Sequence, residues 1–425
     1  MKSEAKRESD ENRSVWAATV ERPTYSPLAE DLRADVCIVG AGIAGLTTAY
    51  LLGQEGRSVV LLDDGPLAGG MTEVTTAHLA NALDDRYFEI ERLHGEEGAR
   101  LAAESHTAAI DRIEAIVRTE GIDCDFERLD GYLFLPPGGK EELLDHELAA
   151  ARRAGLEGVE KIERAPLASF DTGPCLRFPR QGQFHPLKYL AGLAKAIERA
   201  GGRLFTDTHA ERIEGSAGGR PARIEAGGHV VTAGAVVVAT NTPVNDLLVL
   251  HTKQAPYMTY VIGARVPRGS VTKALYWDTE DPYHYVRLQP LDGRHDLLIV
   301  GGEDHKTGQA DDTRERHARL EAWARERFPR MGTVDFSWAG QVMETIDGLA
   351  FIGRNALDKD NVFVVTGDSG MGMTHGTIAG ILLTDLILGR ENPWRRSTIP
   401  RARRSAPWAS TPRRRSTWPP STRTG

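Results

Sequence analysis

The sequence predicts an α/β fold with a Rossmann-type dinucleotide-binding unit at its N-terminal end, and three observations predict it. Asp35 to Val39 reads as a short apolar strand, followed by Gly40-Ala41-Gly42-Ile43-Ala44-Gly45 and a helix, then by a second strand from Ser58 to Leu62. Late in the chain an apolar strand, Val362 to Val365, runs into Gly367, and glycines at 370 and 372 open another apolar helix. The 425 residues are 40% apolar and 26% charged, enough to bury a core, with no internal period and only three scattered cysteines. That composition excludes a disordered chain, a repeat architecture and a disulfide scaffold. Without a CxxC or a Cys/His cluster there are no ligands for structural zinc or an iron–sulfur cluster, so no metal is expected.

Within the first unit each position has a physical reason. Gly40 allows a tight turn, Gly42 lets the backbone approach a pyrophosphate, and Gly45 lets the helix pack closely on the strand. Ile43 and Ala44 bring free N–H groups of the helix N-terminus to the phosphates. Asp63 falls 18 residues after Gly45, followed by Asp64, where a carboxylate can accept from ribose hydroxyls. No second glycine fingerprint occurs between a strand and a helix, so a separate NAD(P) domain is not expected. Reducing equivalents should then come from the substrate, with FAD as the cofactor in the single site.

The N-terminal residues MKSEAKRESDENRS are charged and lack the apolar stretch of a signal peptide. The segment Val36 to Leu52 is apolar enough to suggest a membrane span, but its glycines and paired threonines fit strand, turn and helix better. A cytoplasmic protein with no membrane partner is expected. From Gly98 to Glu120 a helix is expected with Leu101, Ile110, Ile113 and Val117 on one apolar face.

Four further segments follow in order. They are Gly69-Gly70-Met71-Thr72-Glu73-Val74-Thr75-Thr76-Ala77-His78; Gln183-Phe184-His185-Pro186-Leu187 with its helix and the strand RLFTDT; AVVVATNTP at 235–243; and Asp347-Gly348-Leu349-Ala350-Phe351-Ile352-Gly353 with NVFVVTG and GDSGMGMTHGTIAGILLTDLI. Their order and spacing resemble the glycine oxidase/D-amino-acid oxidase/sarcosine oxidase superfamily of FAD-dependent oxidoreductases, from about Trp16 to Trp394. The resemblance implies a FAD-binding Rossmann-type domain interleaved with a smaller α+β substrate domain built on an antiparallel sheet. The first would be assembled from 34–95, 165–248 and 340–394, the second from 96–164 and 249–339, with 1–33 as an N-terminal extension. It also implies cofactor contacts from Gly70, Thr75, Thr76 and His78, from Ala239 and Thr240, and from Gly367, Gly370, Met371, Gly372, Met373 and Thr374. A helix N-terminus aimed at the flavin N1–C2 edge would stabilise the negative charge that builds there. Some relatives attach FAD through a histidine in the His78 loop; histidine also serves there as a hydrogen-bonding neighbour, and that is the reading preferred.

Tyr283-His284-Tyr285-Val286-Arg287-Leu288-Gln289 alternates as a strand, with LLIVGGED as its hairpin partner. Tyr283, Tyr285, Arg287 and Gln289 share one face, which is either a substrate wall or a solvent-facing surface. As a wall it makes Tyr285 and Arg287 the candidate catalytic residues, with Arg287 free to pair with a substrate carboxylate. Amino-acid oxidases of the superfamily commonly carry an arginine before the DG motif. The matching stretch here, Trp338-Ala339-Gly340-Gln341-Val342-Met343-Glu344, has none. That favours an amine without an α-carboxylate, and Glu344 could meet a distant ammonium group.

The expected reaction is oxidation of the C–N bond of an amine or amino acid by hydride transfer to flavin N5, with oxygen or an electron-transfer protein as acceptor. Two alternatives stand beside it: a dehydrogenase passing electrons to a Rieske-type iron–sulfur partner, and a flavin monooxygenase whose GD motif Gly367-Asp368 would imitate. From Arg395 to Gly425 the chain holds nine arginines, five prolines, ten Ser/Thr and no acid, leaving the rest at −17 against −8 overall. This tail is expected to be disordered. Its composition fits an off-frame reading of GC-rich DNA best, an inert tail next and a nucleic-acid arm last, so no nucleic-acid partner is expected. The tail begins where some relatives continue into a Rieske-type domain.

Overall fold

The structure, a computed structural model, describes residues 13–242, 253–355 and 359–398. Two sheets organise the described residues. The first has eight strands, and its centre is parallel: Val362–Thr366, His229–Val238, Leu32–Val39, Val59–Leu62 and Arg203–Phe205 lie side by side in that order. Runs such as Val36–Val39 and Val59–Leu62 are buried on both faces, so they are continuously apolar, as parallel strands must be. Phe351–Arg354 closes one edge antiparallel, and the hairpin Ala210–Glu214 with Ala222–Ala226 adds to His229–Val238.

Helices Ile43–Gln54, Gly372–Ile387 and Pro186–Arg199 pack around this sheet. The two glycine-opened helices cross tightly: a Cβ on Gly376 would stand 2.6 Å from Ile43 Cγ2 and 3.1 Å from the Ala44 nitrogen. The crossing helix is longer than the expected Gly98–Glu120. It runs from Tyr87 to Glu120 and breaks at Gly95, whose φ of 77° and ψ of 171° are not helical. Leu101, Ile110 and Ile113 are buried as their spacing required, and Val117 packs at the margin of that core.

The second sheet has nine strands in the order Val334–Thr345, Gln254–Pro267, His295–Lys306, His284–Pro290, Leu275–Asp278, Glu127–Phe134, Cys175–Gln183 and His78–Leu79, with Glu160–Ile162 paired to Cys175–Gln183. Its pairings are antiparallel apart from the parallel join of Leu275–Asp278 to Glu127–Phe134. Helix Thr313–Arg327 covers it, burying Leu320, Trp323 and Ala324. The segments expected to build the cofactor domain supply strands to both sheets, since His78–Leu79 and Cys175–Gln183 pair in the second. The expected boundary at 339/340 falls inside strand Val334–Thr345.

The ends of the described chain are built into the fold. Within the expected extension 1–33, helix Val15–Thr19 buries Val15, Trp16 and Ala17, and strand Leu32–Val39 begins before residue 34. At the other end, residues expected in the disordered tail form the short helix Arg395–Thr398, where buried Thr398 donates to the Ile352 carbonyl at 3.0 Å. The tail beyond it, Pro243 of the AVVVATNTP segment and residues 1–12 lie outside the described residues.

Candidate active site

The glycine loop forms the cradle its spacing requires. Gly40 has φ +110°, and a Cβ there would stand 2.3 Å from the Ala239 carbonyl oxygen; one on Gly45 would stand 1.9 Å from the Gly40 oxygen. Loop, helix and strand His229–Val238 therefore close only without those side chains. Gly42 caps helix Ile43–Gln54 without a side-chain acceptor, so the helix start offers N–H groups to an anion, with Thr72 Oγ1 receiving the one from Ile43 at 3.3 Å. Asp63 sits at the loop's mouth, where its carboxylate accepts from the Ala41 and Gly65 nitrogens at 2.5 and 2.9 Å. Burial raises its pKa despite those two bonds. Asp64 turns outward toward His209, 3.6 Å away, and is exposed. Ala239 and Thr240 end the neighbouring strand beside Gly40, as expected.

From that cradle the chain runs toward the second sheet, and four consecutive carbonyls of this segment are held by buried donors. Trp338 Nε1 donates to the Val74 oxygen at 2.9 Å and Trp16 Nε1 to the Thr75 oxygen at 2.6 Å. Arg287 Nη1 donates to the oxygens of Thr76 and Ala77 at 3.1 and 2.9 Å, and to that of Phe184 at 3.0 Å. Ala77 takes a φ of 59°, which aims these groups. Thr75, Thr76 and His78 then line a cavity of about 150 Å³. Gly70 is exposed at the start of the segment and lines nothing; Met71 and Thr72 take that place.

Helix Gly372–Ile387 meets the cavity from the other side, where Gly370, Met371, Gly372 and Met373 line it. Gly367 lies behind them, with φ 77° and tight against Thr345. Thr374 is turned away beneath the wall, its hydroxyl 2.9 Å from His106 Nδ1. His106 Nε2 lies 3.2 Å from His375 Nε2, and His375 Nδ1 donates to the Asp368 carbonyl at 2.8 Å. Burial holds both rings neutral, His375 at about 4, so this histidine pair ties the glycine turn to helix Tyr87–Glu120 without adding charge.

The third wall is the second sheet. Tyr285, Thr259, Trp277 and Glu344 project from different strands into the cavity, and Tyr283 joins them from just before its strand. Gly301, opposite Tyr285, leaves room for the phenol ring, which would stand 2.2 Å from a Cβ there. Tyr285 shares a 2.8 Å hydrogen bond with Thr259, and burial pushes its phenol pKa up, so it stays protonated. Tyr283 donates to Asp84 at 2.9 Å. Among the described lining residues there are four carboxylates, from Asp84, Asp304, Glu344 and Asp368, and no lysine or arginine. Burial lifts Asp368 to about 7 and, with the nearby Arg287 charge, drops His78 to about 3.

Arg287 is the correction among the expected catalytic residues. The alternation was right, since Tyr285, Arg287 and Gln289 do face inward, but only Tyr285 reaches the cavity. Arg287 is fully buried one layer beneath it, over the Trp16 ring at 5.3 Å, and its second amino group donates to Gln289 at 2.6 Å. Its two amino groups are committed to protein oxygens and the side chain is sealed beneath the cavity wall, so it does not reach a substrate carboxylate. Sequence reasoning also missed Asp84, Asp304 and Trp277. The strand LLIVGGED ended at Asp304, but its position within the strand did not reveal which face would be walled off.

Away from the cavity, Asp278, Glu280 and His284 bring three potential ligand atoms within 4.8 Å of one another. Burial opposes protonation of His284, yet hydrogen bonds to Asp278, Glu280 and Glu303 carry its pKa up to about 10. In this state the imidazole is held as an ion-pair partner of those carboxylates.

A glycine cradle at a helix N-terminus, a carboxylate at its mouth and a second helix N-terminus facing a tyrosine-walled cavity are the features of a dinucleotide-dependent oxidoreductase. The FAD dependent oxidoreductase (DAO) family matches residues 35–386, and the chain belongs to it. It is an enzyme that uses FAD, and the cradle, the orphaned Asp368 Oδ1 and the helix start at Gly372 fit that group. A putative Rieske 2Fe-2S iron–sulfur protein, YhfW, of Bacillus subtilis is 31% identical over 90% of this chain and 74% of its own length. The gamma-glutamylputrescine oxidoreductase of Escherichia coli is 27% identical over 88% of this chain and 89% of its own. Among solved structures, glycine oxidase from Geobacillus kaustophilus superposes with a TM-score of 0.69 at 21% identity, covering 85% of this chain and 96% of that one. No helix among the described residues is long and apolar enough to cross a membrane.

Proposed function

We propose that this enzyme oxidises the C–N bond of an amine. The observation that carries the reading is the cavity between the His78 loop and helix Gly372–Ile387, whose described lining residues include carboxylates and phenols but no lysine or arginine to receive an α-carboxylate. A relative named for gamma-glutamylputrescine supports an amine as the substrate class. FAD, held by Gly40, Gly42, Gly45 and Asp63 and reached by residues 75–78 and 370–373, would accept the hydride equivalent lost from the carbon next to nitrogen. The protein's part is then positioning and exclusion of water, which needs no acid–base dyad. Tyr285 and Tyr283 wall the substrate side as neutral hydrogen-bonding groups. His78 is neutral, 3.1 Å from the Thr76 hydroxyl and 3.4 Å from the Val286 carbonyl, as a hydrogen-bonding neighbour of the cofactor. Water hydrolyses the imine product to a carbonyl compound and a free amine. Asp64, Gly70 and Thr374 stand outside the cavity lining and are given no part in this reading.

The test is anaerobic addition of amines and amino acids to the purified holoenzyme, followed by its visible spectrum. Bleaching of the flavin band by an amine is the expected result; an intact band with every amine, but bleaching by NAD(P)H, would overturn the reading. A second reading concerns the acceptor. Because one relative is named as a Rieske protein, an iron–sulfur partner is a reasonable destination for the electrons. Turnover with artificial one-electron acceptors and negligible peroxide formation would support it, while stoichiometric peroxide would point to oxygen.

A further inference from the structure

We infer that Asp368 takes up a proton when the flavin is reduced, so that a neutral carboxyl group stands beside the cofactor in its reduced state. The inference rests on FAD lying in the site described above, and not on which substrate reduces it.

The turn that carries Asp368 is strained and tied down. Between strand Val362–Thr366 and helix Gly372–Ile387 the backbone takes positive φ at Gly367 (77°), Ser369 (42°) and Gly370 (77°). A serine in that region costs free energy and persists only where its neighbours enforce it. Here they do. Ser369 is buried; its N–H donates to the Met343 carbonyl at 3.0 Å, and its hydroxyl accepts from the Thr345 nitrogen at 3.0 Å. The Asp368 carbonyl accepts from the Met371 nitrogen and from His375 Nδ1, both at 2.8 Å. Fixed in this way, the Asp368 side chain lines the cavity at the start of the helix, where its Oδ2 would stand 3.4 Å from a Cβ on Gly372. Its Oδ1 is sealed from solvent and has no hydrogen-bond partner among the described residues. A carboxylate oxygen held like that is destabilised unless a donor reaches it or the group carries a proton itself.

With the cofactor placed as proposed, this helix start meets the flavin edge where negative charge builds on reduction. A carboxylate fixed in the same turn would repel that charge in a water-poor space, whereas a neutral carboxyl group would not. The surroundings supply no cation to relieve the repulsion. His375 on the following helix and His106 from helix Tyr87–Glu120 are neutral, as is His78 across the cavity. Asp84, beside Gly370, accepts from Tyr283, and Glu344 and Asp304 of the second sheet have partners within the protein. No lysine or arginine occurs among the described lining residues. Burial holds Asp368 at about 7, so a gain of negative charge nearby tips it to the protonated form at neutral pH. Above about pH 7 the oxidised enzyme holds the carboxylate and reduction adds the proton; below it the proton is already in place.

Atoms and electrons balance with an ammonium substrate. The nitrogen loses one proton, its freed lone pair makes the C=N bond, and the hydrogen on carbon leaves for the flavin with its electron pair. The substrate is oxidised by two electrons, the flavin gains two electrons and one proton, and the proton from nitrogen converts Asp368 from carboxylate to carboxyl. With any other reductant that last proton comes from solvent.

The experiment measures the flavin midpoint potential against pH in the purified holoenzyme, poised against reference dyes with no amine present, together with reduced-minus-oxidised infrared difference spectra. Above about pH 7 the unmodified enzyme should take up two protons per two electrons while its reduced absorbance is that of the anionic flavin, and the spectrum should gain the C=O band of a protonated carboxyl group. In Asp368→Asn, checked for retained flavin, uptake should fall to one proton per two electrons and the band should be lost. Asp368→Glu keeps the carboxyl group, so it should keep the second proton with a shifted band, and it decides the matter where asparagine costs the flavin. One proton per two electrons in the unmodified enzyme, or a second proton that survives in Asp368→Asn, would overturn the inference and leave amine oxidation standing. Failure of every amine to bleach the flavin would overturn the proposed reaction and leave this measurement untouched.

Discussion

Replacing Arg287 by methionine would leave the carbonyls of Thr76, Ala77 and Phe184 buried without their donor. Each such acceptor costs on the order of 1–3 kcal/mol, and partial relaxation brings the expected loss to roughly 2–5 kcal/mol. Arg287→Lys should recover little, because one ammonium cannot reach three carbonyls and Gln289 together. Thermal melts of the apoprotein and the flavin-to-protein absorbance ratio would both fall; a variant with normal stability and flavin content would refute the role. Asp368 gives a pH-dependent prediction. Its folded pKa stands at about 7, above the ordinary 3.8, so the native state holds this proton more tightly than the unfolded chain does. Its contribution to stability is therefore complete below pH 3.8 and declines as pH rises to about 7. Asp368→Asn should remove that decline, seen as urea midpoints that change less between about pH 4 and about pH 7 than those of the parent protein.

At the scale of elements, the two glycine-opened helices depend on each other. Gly376 lies where a methyl would meet Ile43 and the Ala44 nitrogen, at the first turn of the helix that follows the glycine loop. Gly376→Ala should therefore push helix Gly372–Ile387 off Ile43–Gln54, costing roughly 1–3 kcal/mol as overpacking does. With both helices addressing the cofactor as proposed, FAD content should drop along with the melting temperature; an unchanged flavin ratio would show that the crossing can yield without disturbing the site. The glycine pattern made this element legible in advance, since a strand, a tight loop and a helix start are neighbours in sequence. The clamp on residues 74–77 was not legible, because its donors, Trp16, Arg287 and Trp338, come from three remote parts of the chain. Only the carbonyls they hold were in view, and a carbonyl is in every residue.

Across the whole molecule, Trp16 joins the N-terminal segment to the site. Its indole is fully buried, donates to Thr75 and lies under the Arg287 guanidinium. Trp16→Ala should cost about 3–5 kcal/mol through the cavity it leaves and should loosen the flavin loop. Weaker FAD retention on gel filtration, together with the lower stability, is the expected result; full FAD retention would separate the segment from the site. The sequence by itself determined the parallel sheet, the tight glycine loop with Asp63 at its mouth and the helix start at Gly372, because those features arise from neighbouring residues obeying backbone sterics. It also determined that Tyr285, Arg287 and Gln289 share a face, because a strand alternates. Which side of that face meets the cavity, and how deep each residue lies along it, only the tertiary structure decided. Packing set Tyr285 at the wall and Arg287 beneath it, and gathered carboxylates from positions 84, 304, 344 and 368 around one space. Burial and electrostatic sign belong to assembled surfaces, and residues so far apart acquire them only when the chain closes.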